Sequence, residues 1–251
     1  MRLFRKNRIT QILLFCLSFG IGYGHFDHSL YDSLLKKHVK DGLVDYSAMK
    51  QDPWLDEYLS LVARVDLESL ATRNEQLAFW TNTYNAYTLK LITKYFPIVS
   101  IMNINEKGYE SAWDIPLAKV AGKEYTLDQI ENEIIRPIFK DPRIHYALVC
   151  AARSCPQLRS EAYVGVRLEE QFEEQSRWFM IHRNSFDVKS RTAKLSSVFD
   201  WYSVDFGESI QDTLMLIAPH TEPILASSLK KNPKSWKTSF TDWDWRLNIQ
   251  K

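Results

Sequence analysis

Glycine is scarce in this sequence, eight residues in 251, and none of it forms a phosphate-cradling loop. A G-x-S-x-G elbow is missing, so the usual serine-hydrolase signature is excluded. Metal chemistry has little to work with: H-x-x-x-H and paired C-x-x-C are absent, and besides His145 the histidines are scattered at His25, His28, His38, His182 and His220. No bound metal or cofactor is therefore expected. Low-complexity linkers and internal repeats are also lacking, which favours one domain over two. Nor is there an excess of positive charge: 32 basic residues face 31 acidic ones, without the basic footprint of a nucleic-acid-binding protein. What the chain does have is aromatics, 13% of its residues, as a well-packed globular protein would.

The first 24 residues place four basic and no acidic side chains around an apolar stretch from Ile9 to Ile21, the layout of a secretory signal peptide. Gly22 and Gly24 stand at −3 and −1 of a cleavage after Gly24, so a mature domain over residues 25–251 is expected, periplasmic or secreted, with no stable membrane span. Leu-Leu-Phe before Cys16 is unlike the small residues of a lipoprotein site. Without the leader, 28 basic residues face 31 acidic ones, a net charge of −3, and only Cys150 and Cys155 remain as cysteines.

Leu30, Leu34, Leu35 and Val39 have helical spacing and stop at Asp41-Gly42. A short helix follows Pro53. Thr72 and Glu75 have capping-box spacing ahead of a run closed by Pro97, predicting a helix of about 20 residues. One lane of that helix carries Leu77, Trp80, Tyr84, Tyr87, Leu91 and Tyr95; another carries Ala78, Asn82, Asn85, Leu89, Ile92 and Phe96. A helix apolar over so much of its circumference belongs at the centre of the fold. Asn82 and Asn85 then need partners, either the backbone of loops packed on the helix or a catalytic group or substrate. Downstream come a hairpin turning at Gly122-Lys123, a helix capped by Thr126 and ending near Pro137, a surface helix, a second hairpin in "SFDVKSRTAKLSS", further helices and an extended aromatic tail. The expected fold class is α+β: one helix-rich domain with a central buried helix and short antiparallel hairpins around one buried strand.

That strand is read from Ile144 to Cys150 in "RIHYALVCAARSCPQLR". Alternation would put His145 on one face and Cys150 on the other. Cys155, on the small-residue loop that follows, could reach either face, and Pro156 biases it away from a helical start. Its thiol would need a histidine, or Arg153 and Arg159, to ionise near neutrality. Three readings stand open: Cys155 as nucleophile with His145 as base and Asn85 or Glu131 orienting the ring; a Cys150–Cys155 disulfide; or two reduced core cysteines beside a satisfied histidine.

The segments "LLKKHVKDGLVDYSAMK", "EQLAFWTNTYNAYTLKLI", "AWDIPLAKVAGKEYTLDQIENEIIR", "DPRIHYALVCAARSCPQLR", "FDWYSVDF" and "DWDWRLN" together resemble the DUF547 family, a domain of unknown function. The resemblance implies an exported bacterial protein and no particular activity. Some larger eukaryotic relatives carry a glutaredoxin-like module, an association that favours thiol chemistry. Asn82, Tyr84, Asn85, Trp113, His145, Cys155 with Pro156, and Tyr202 match the family's pattern. Where the family usually has a histidine after the glutamate of its I-E-H segment, this chain has Asn132 after Glu131. The site expected from these readings has Cys155, His145 and Asn85 as catalytic residues. Asn82, Tyr84, Trp113 and Arg153 would bind a small molecule or peptide. The function that follows is a cysteine-dependent hydrolase or acyl transferase, or alternatively a non-catalytic binding or scaffold domain with both cysteines structural.

Overall fold

The computed structural model describes residues 25–250; the expected leader, 1–24, and Lys251 lie outside the described residues. The long helix runs over Arg73–Tyr95, and every residue from Leu77 to Leu89 is buried. Its start is the expected capping box: Thr72 Oγ1 accepts from the Glu75 N–H at 3.1 Å, and the Glu75 carboxylate accepts from the Thr72 N–H at 3.0 Å. Burial on all sides leaves threonine hydroxyls in an apolar setting. Thr81, Thr88 and Thr93 solve this by donating to the carbonyls of Leu77, Tyr84 and Leu89 in the preceding turn.

Helices Ser29–His38 and Trp54–Ala63 pack on each other, and the latter also on the central helix. Small hairpins fill the gaps. Val39–Lys40 pairs with Leu43–Val44, and Ala118–Val120 pairs with Lys123–Tyr125. The second of these turns at Ala121-Gly122, one residue before the expected Gly122-Lys123, with both residues at positive φ, as a two-residue hairpin loop of this kind requires. Residues 127–139 form the helix expected after Thr126, again with a capping box, but its middle, Ile130–Ile135, is widened to a π-helix. The surface helix is Leu168–Arg183. The hairpin Ser185–Asp187 with Thr192–Leu195 is joined by Lys237–Phe240 from the tail, which adds in parallel to Thr192–Leu195. The helices Tyr46–Met49 and Pro223–Lys231 had no sequence forecast.

The buried strand expected at 144–150 does not form. Pro142–Tyr146 is a 3-10 helix, capped by Asp141 and started by Pro142, and the chain beyond it is irregular. The reason is where its backbone groups find partners. Asn85 takes the Ala147 carbonyl and the Val149 N–H, and Gln175 donates to the Tyr146 carbonyl, so two side chains replace a neighbouring strand.

Two apolar clusters result. The larger surrounds the central helix and includes Ile144, Ala147 and Leu148; the smaller gathers Tyr146, Phe179, Phe199, Phe206, Leu214 and Ile217. Residues 142–150 therefore run along the seam between them. The tail laces the same region: Leu247 donates to Val99, Asn248 to Ala151, and Arg153 donates to Arg246. Asn248 also takes the Tyr46 hydroxyl at 2.6 Å and donates to the Gly42 carbonyl at 2.9 Å. Among the described residues no helix is long and apolar enough to cross a membrane.

Candidate functional site

A pocket of about 300 Å³ opens on the seam. The central helix contributes Tyr84, and the widened helix contributes Asp128, Glu131 and Asn132. His145, Leu148, Cys150, Cys155 and Pro156 come from the irregular segment, and Tyr202 from the small helices after residue 197. Four tryptophans complete the walls: Trp113, Trp201, Trp243 and Trp245. They touch one another, Trp201 with Trp243 at 4.7 Å between ring centroids, Trp243 with Trp245 at 5.7 Å, and Trp113 edge-on to Trp245 at 6.0 Å.

Cys150 and Cys155 are disulfide-bonded, with their Cα atoms 6.1 Å apart, and both face this pocket. The Cys150 N–H donates to Cys155 Sγ at 3.1 Å, and the Cys155 N–H donates to the Ala152 carbonyl, closing the loop as a turn. Strand alternation had separated Cys150 from His145. The irregular backbone removes that alternation, and both cysteines share the pocket with the histidine.

His145 is 4% exposed, and its Nε2 lies 2.7 Å from Asp205 Oδ2, which also accepts from Arg136 Nε at 2.6 Å. Burial opposes ionisation of Asp205, yet the His145 and Arg136 hydrogen bonds outweigh it and hold the carboxyl at a pKa of about 2. An ionised carboxylate only accepts, so Nε2 carries the proton and Nδ1 is the basic nitrogen of the neutral ring. The ring is further fixed by Tyr202, 4.1 Å away between centroids, and Arg136 lies over the other ring at 5.1 Å. Asn132, where the resemblance led to the expectation of a histidine, donates to Asp128 at 2.7 Å and accepts from Arg136 at 2.6 Å. It thus steadies the arginine that steadies Asp205.

Glu131 is 6% exposed and lies beside two phenols. Burial first, and the Glu131 charge second, push the Tyr84 and Tyr202 hydroxyls far above the ordinary tyrosine range, so both stay protonated.

The residues expected to act together divide into two groups. Tyr84, Trp113, His145 and Cys155 converge on the pocket. Asn82 and Asn85 hold backbone: Asn82 brackets Tyr163, accepting from its N–H at 2.9 Å and donating to its carbonyl at 2.8 Å, as Asn85 brackets Ala147 and Val149. The imidazole is oriented by Asp205 instead of Asn85 or Glu131. Arg153 faces a different recess with Lys40 and Arg183, and Arg159 is paired with Glu161 and Glu174. Asp205 and Arg136 escaped the sequence reading because 60 or more residues separate Asp205 from both partners. Their sequence signal was position alone, Asp205 inside "FDWYSVDF" and Arg136 at the end of "AWDIPLAKVAGKEYTLDQIENEIIR".

Fold and site together define an α+β protein whose aromatic pocket is walled by a disulfide. The family model "Protein of unknown function, DUF547" matches residues 67–180, and the chain is similar to that family over this span. The match takes in Tyr84, Trp113, Glu131, His145 and both cysteines, and stops short of Tyr202, Asp205 and three of the four tryptophans. No curated protein and no solved structure shows a significant match.

Proposed function

We propose that this protein is a small-ligand-binding protein whose pocket is closed on one wall by the Cys150–Cys155 disulfide. The observation that carries the reading is the disulfide itself: with both sulfurs bonded, no thiolate faces the pocket, while aromatic walls and a few polar groups remain to hold a ligand. Export to an oxidising compartment, expected from the leader, would preserve the bond. The test has two parts. Iodoacetamide treatment of the unreduced protein followed by mass spectrometry should leave both cysteines unlabelled. A fragment library screened by tryptophan fluorescence should return binders whose signal is lost in Trp245→Leu. Free thiols in the native protein, or a library without binders, would refute the reading.

One arrangement favours a second reading, a thiol enzyme that acts once reduced. His145, oriented by Asp205, shares the pocket with Cys155. In that state Cys155 would attack a carbonyl, His145 would take the thiol proton, and Asp205 would hold the imidazole, a division of labour like that of a triad. Reduced protein would then release a burst of p-nitrophenol from p-nitrophenyl acetate. Cys155→Ala should abolish the burst and Cys150→Ala should retain it; equal loss in both variants would remove the nucleophile role.

A further inference from the structure

The lining of the seam pocket is unbalanced in charge. It holds two carboxylates, Asp128 and Glu131, and no lysine or arginine. His145 is the remaining titratable nitrogen in the wall, and its Nε2 is engaged by Asp205. Asp128 receives a hydrogen bond from Asn132, but Glu131 has no ion-pair partner among the described residues. Arg136, whose charge feels Glu131, directs its guanidinium to Asp205 and Asn132 instead. A carboxylate this deeply buried without a counter-ion is costly to maintain, because burial strips its hydration and the Tyr84 and Tyr202 hydroxyls beside it replace only part of that hydration and none of the missing charge. The two phenols beside it stay neutral, so they add hydrogen-bonding capacity without adding or cancelling charge.

The rest of the wall has the complementary character. Indole faces carry negative charge density and attract cations, tryptophan most strongly, and four tryptophans and Tyr202 surround the opening. Trp201 is half exposed at its rim, and its ring is nearly parallel to Trp245, 13° between planes. A hydrophilic anion would meet Glu131 and π-faces of the same sign. A neutral apolar molecule would leave Glu131 uncompensated. We propose that the pocket binds a small organic cation, an amine or quaternary ammonium, with Glu131 as its counter-ion and the tryptophans as its cage. The inference rests on the ligand-binding reading above and deepens it. The volume of about 300 Å³ limits the occupant to a small molecule, near the lower end of ligand pockets generally.

The test is calorimetric titration of the oxidised protein with choline, benzylamine and benzyltrimethylammonium. Their neutral counterparts, 3,3-dimethylbutan-1-ol and benzyl alcohol, are titrated in parallel. At least one cation should bind about tenfold more tightly than its neutral counterpart, equivalent to ~1.4 kcal/mol. Glu131→Gln should erase that ratio while leaving binding of the neutral compound unchanged. Should Glu131→Gln fail to fold, Trp113→Leu and the wild-type ratio still decide, since loss of an aromatic wall should weaken the cation more than the neutral molecule. Neutral compounds binding as well as cations, or library binders that are all neutral or anionic, would overturn the cation inference and leave the binding reading standing. No binding in either this panel or the fragment library would overturn both.

Discussion

Asn85→Ala separates a structural role from a catalytic one for a residue expected from the sequence to be catalytic. The amide is 2% exposed and makes two bonds, to the Ala147 carbonyl at 3.0 Å and from the Val149 N–H at 2.9 Å. Ala147 and Val149 are themselves buried, so truncation leaves a donor and an acceptor unpaired away from water. Each such group costs roughly 1–3 kcal/mol, and about 3 kcal/mol in total is expected after partial relaxation. For a domain of this size that lowers Tm by roughly 6–12 °C. Urea unfolding followed by far-UV circular dichroism measures it, with the midpoint shifting at unchanged slope. Asn82→Ala, which leaves the Tyr163 backbone unpaired in the same way, is the matched control and should lose a similar amount. If Asn85→Ala were within about 0.5 kcal/mol of wild type while ligand binding or reductant-dependent turnover collapsed, the clamp argument would fail. The amide would then belong to the ligand.

Asp205 should leave a pH signature. Its folded-state pKa of about 2 lies below the ordinary 3.8, so the unfolded chain takes up the proton first as pH falls. Its stabilising contribution is complete above the ordinary value and disappears as pH drops towards 2. The stability difference between wild type and Asp205→Asn should therefore be largest near neutrality and shrink between about pH 4 and pH 2; a difference constant with pH would show that the carboxylate charge is not what holds His145. Gly165→Ala should be destabilising by about 1–3 kcal/mol, read by thermal melting, because a Cβ there would stand 2.8 Å from Glu75 N and 2.9 Å from Glu75 Cα in the capped first turn of the central helix. An unchanged Tm would mean that turn can yield. Reducing the disulfide, which closes a loop of six residues, should cost about 2 kcal/mol of stability in the chain-entropy treatment, measurable as a lower urea midpoint with reductant present.

Much of the architecture was legible locally. The Thr72–Glu75 box, the breadth of the apolar face from Leu77 onwards and the stop near Pro97 specify the central helix without reference to anything else in the chain, because capping and side-chain periodicity act within a few residues. The hairpin at Ala118–Tyr125 and the helix after Thr126 follow from the same short-range rules. The segment at 144–150 is different. Its composition suits a buried strand, but a strand exists only if a neighbour supplies its hydrogen bonds, and here Asn85 and Gln175 supply them from helices far away in sequence. Short apolar runs are ambiguous for this reason.

The site divides along the same line. His145, Cys155, Tyr84 and Trp113 could be picked out one by one as residues with chemistry to offer, since residue type and local context are properties of the chain. Which of them meet, and with what, depended on packing. The seam between two apolar clusters brought Glu131 from a widened helix, Tyr202 from beyond residue 200 and two tryptophans from the tail to one pocket, and set Asp205 against the His145 ring. It also closed Cys150 onto Cys155, which spacing alone had left as one of three readings. Sequence determined the helices and the inventory of reactive side chains, because those obey short-range rules. Tertiary structure alone decided the imidazole's partner and the charge of the pocket, because both depend on distances between residues that are remote along the chain; the sulfurs are near in sequence, and it was the irregular backbone between them that let them meet.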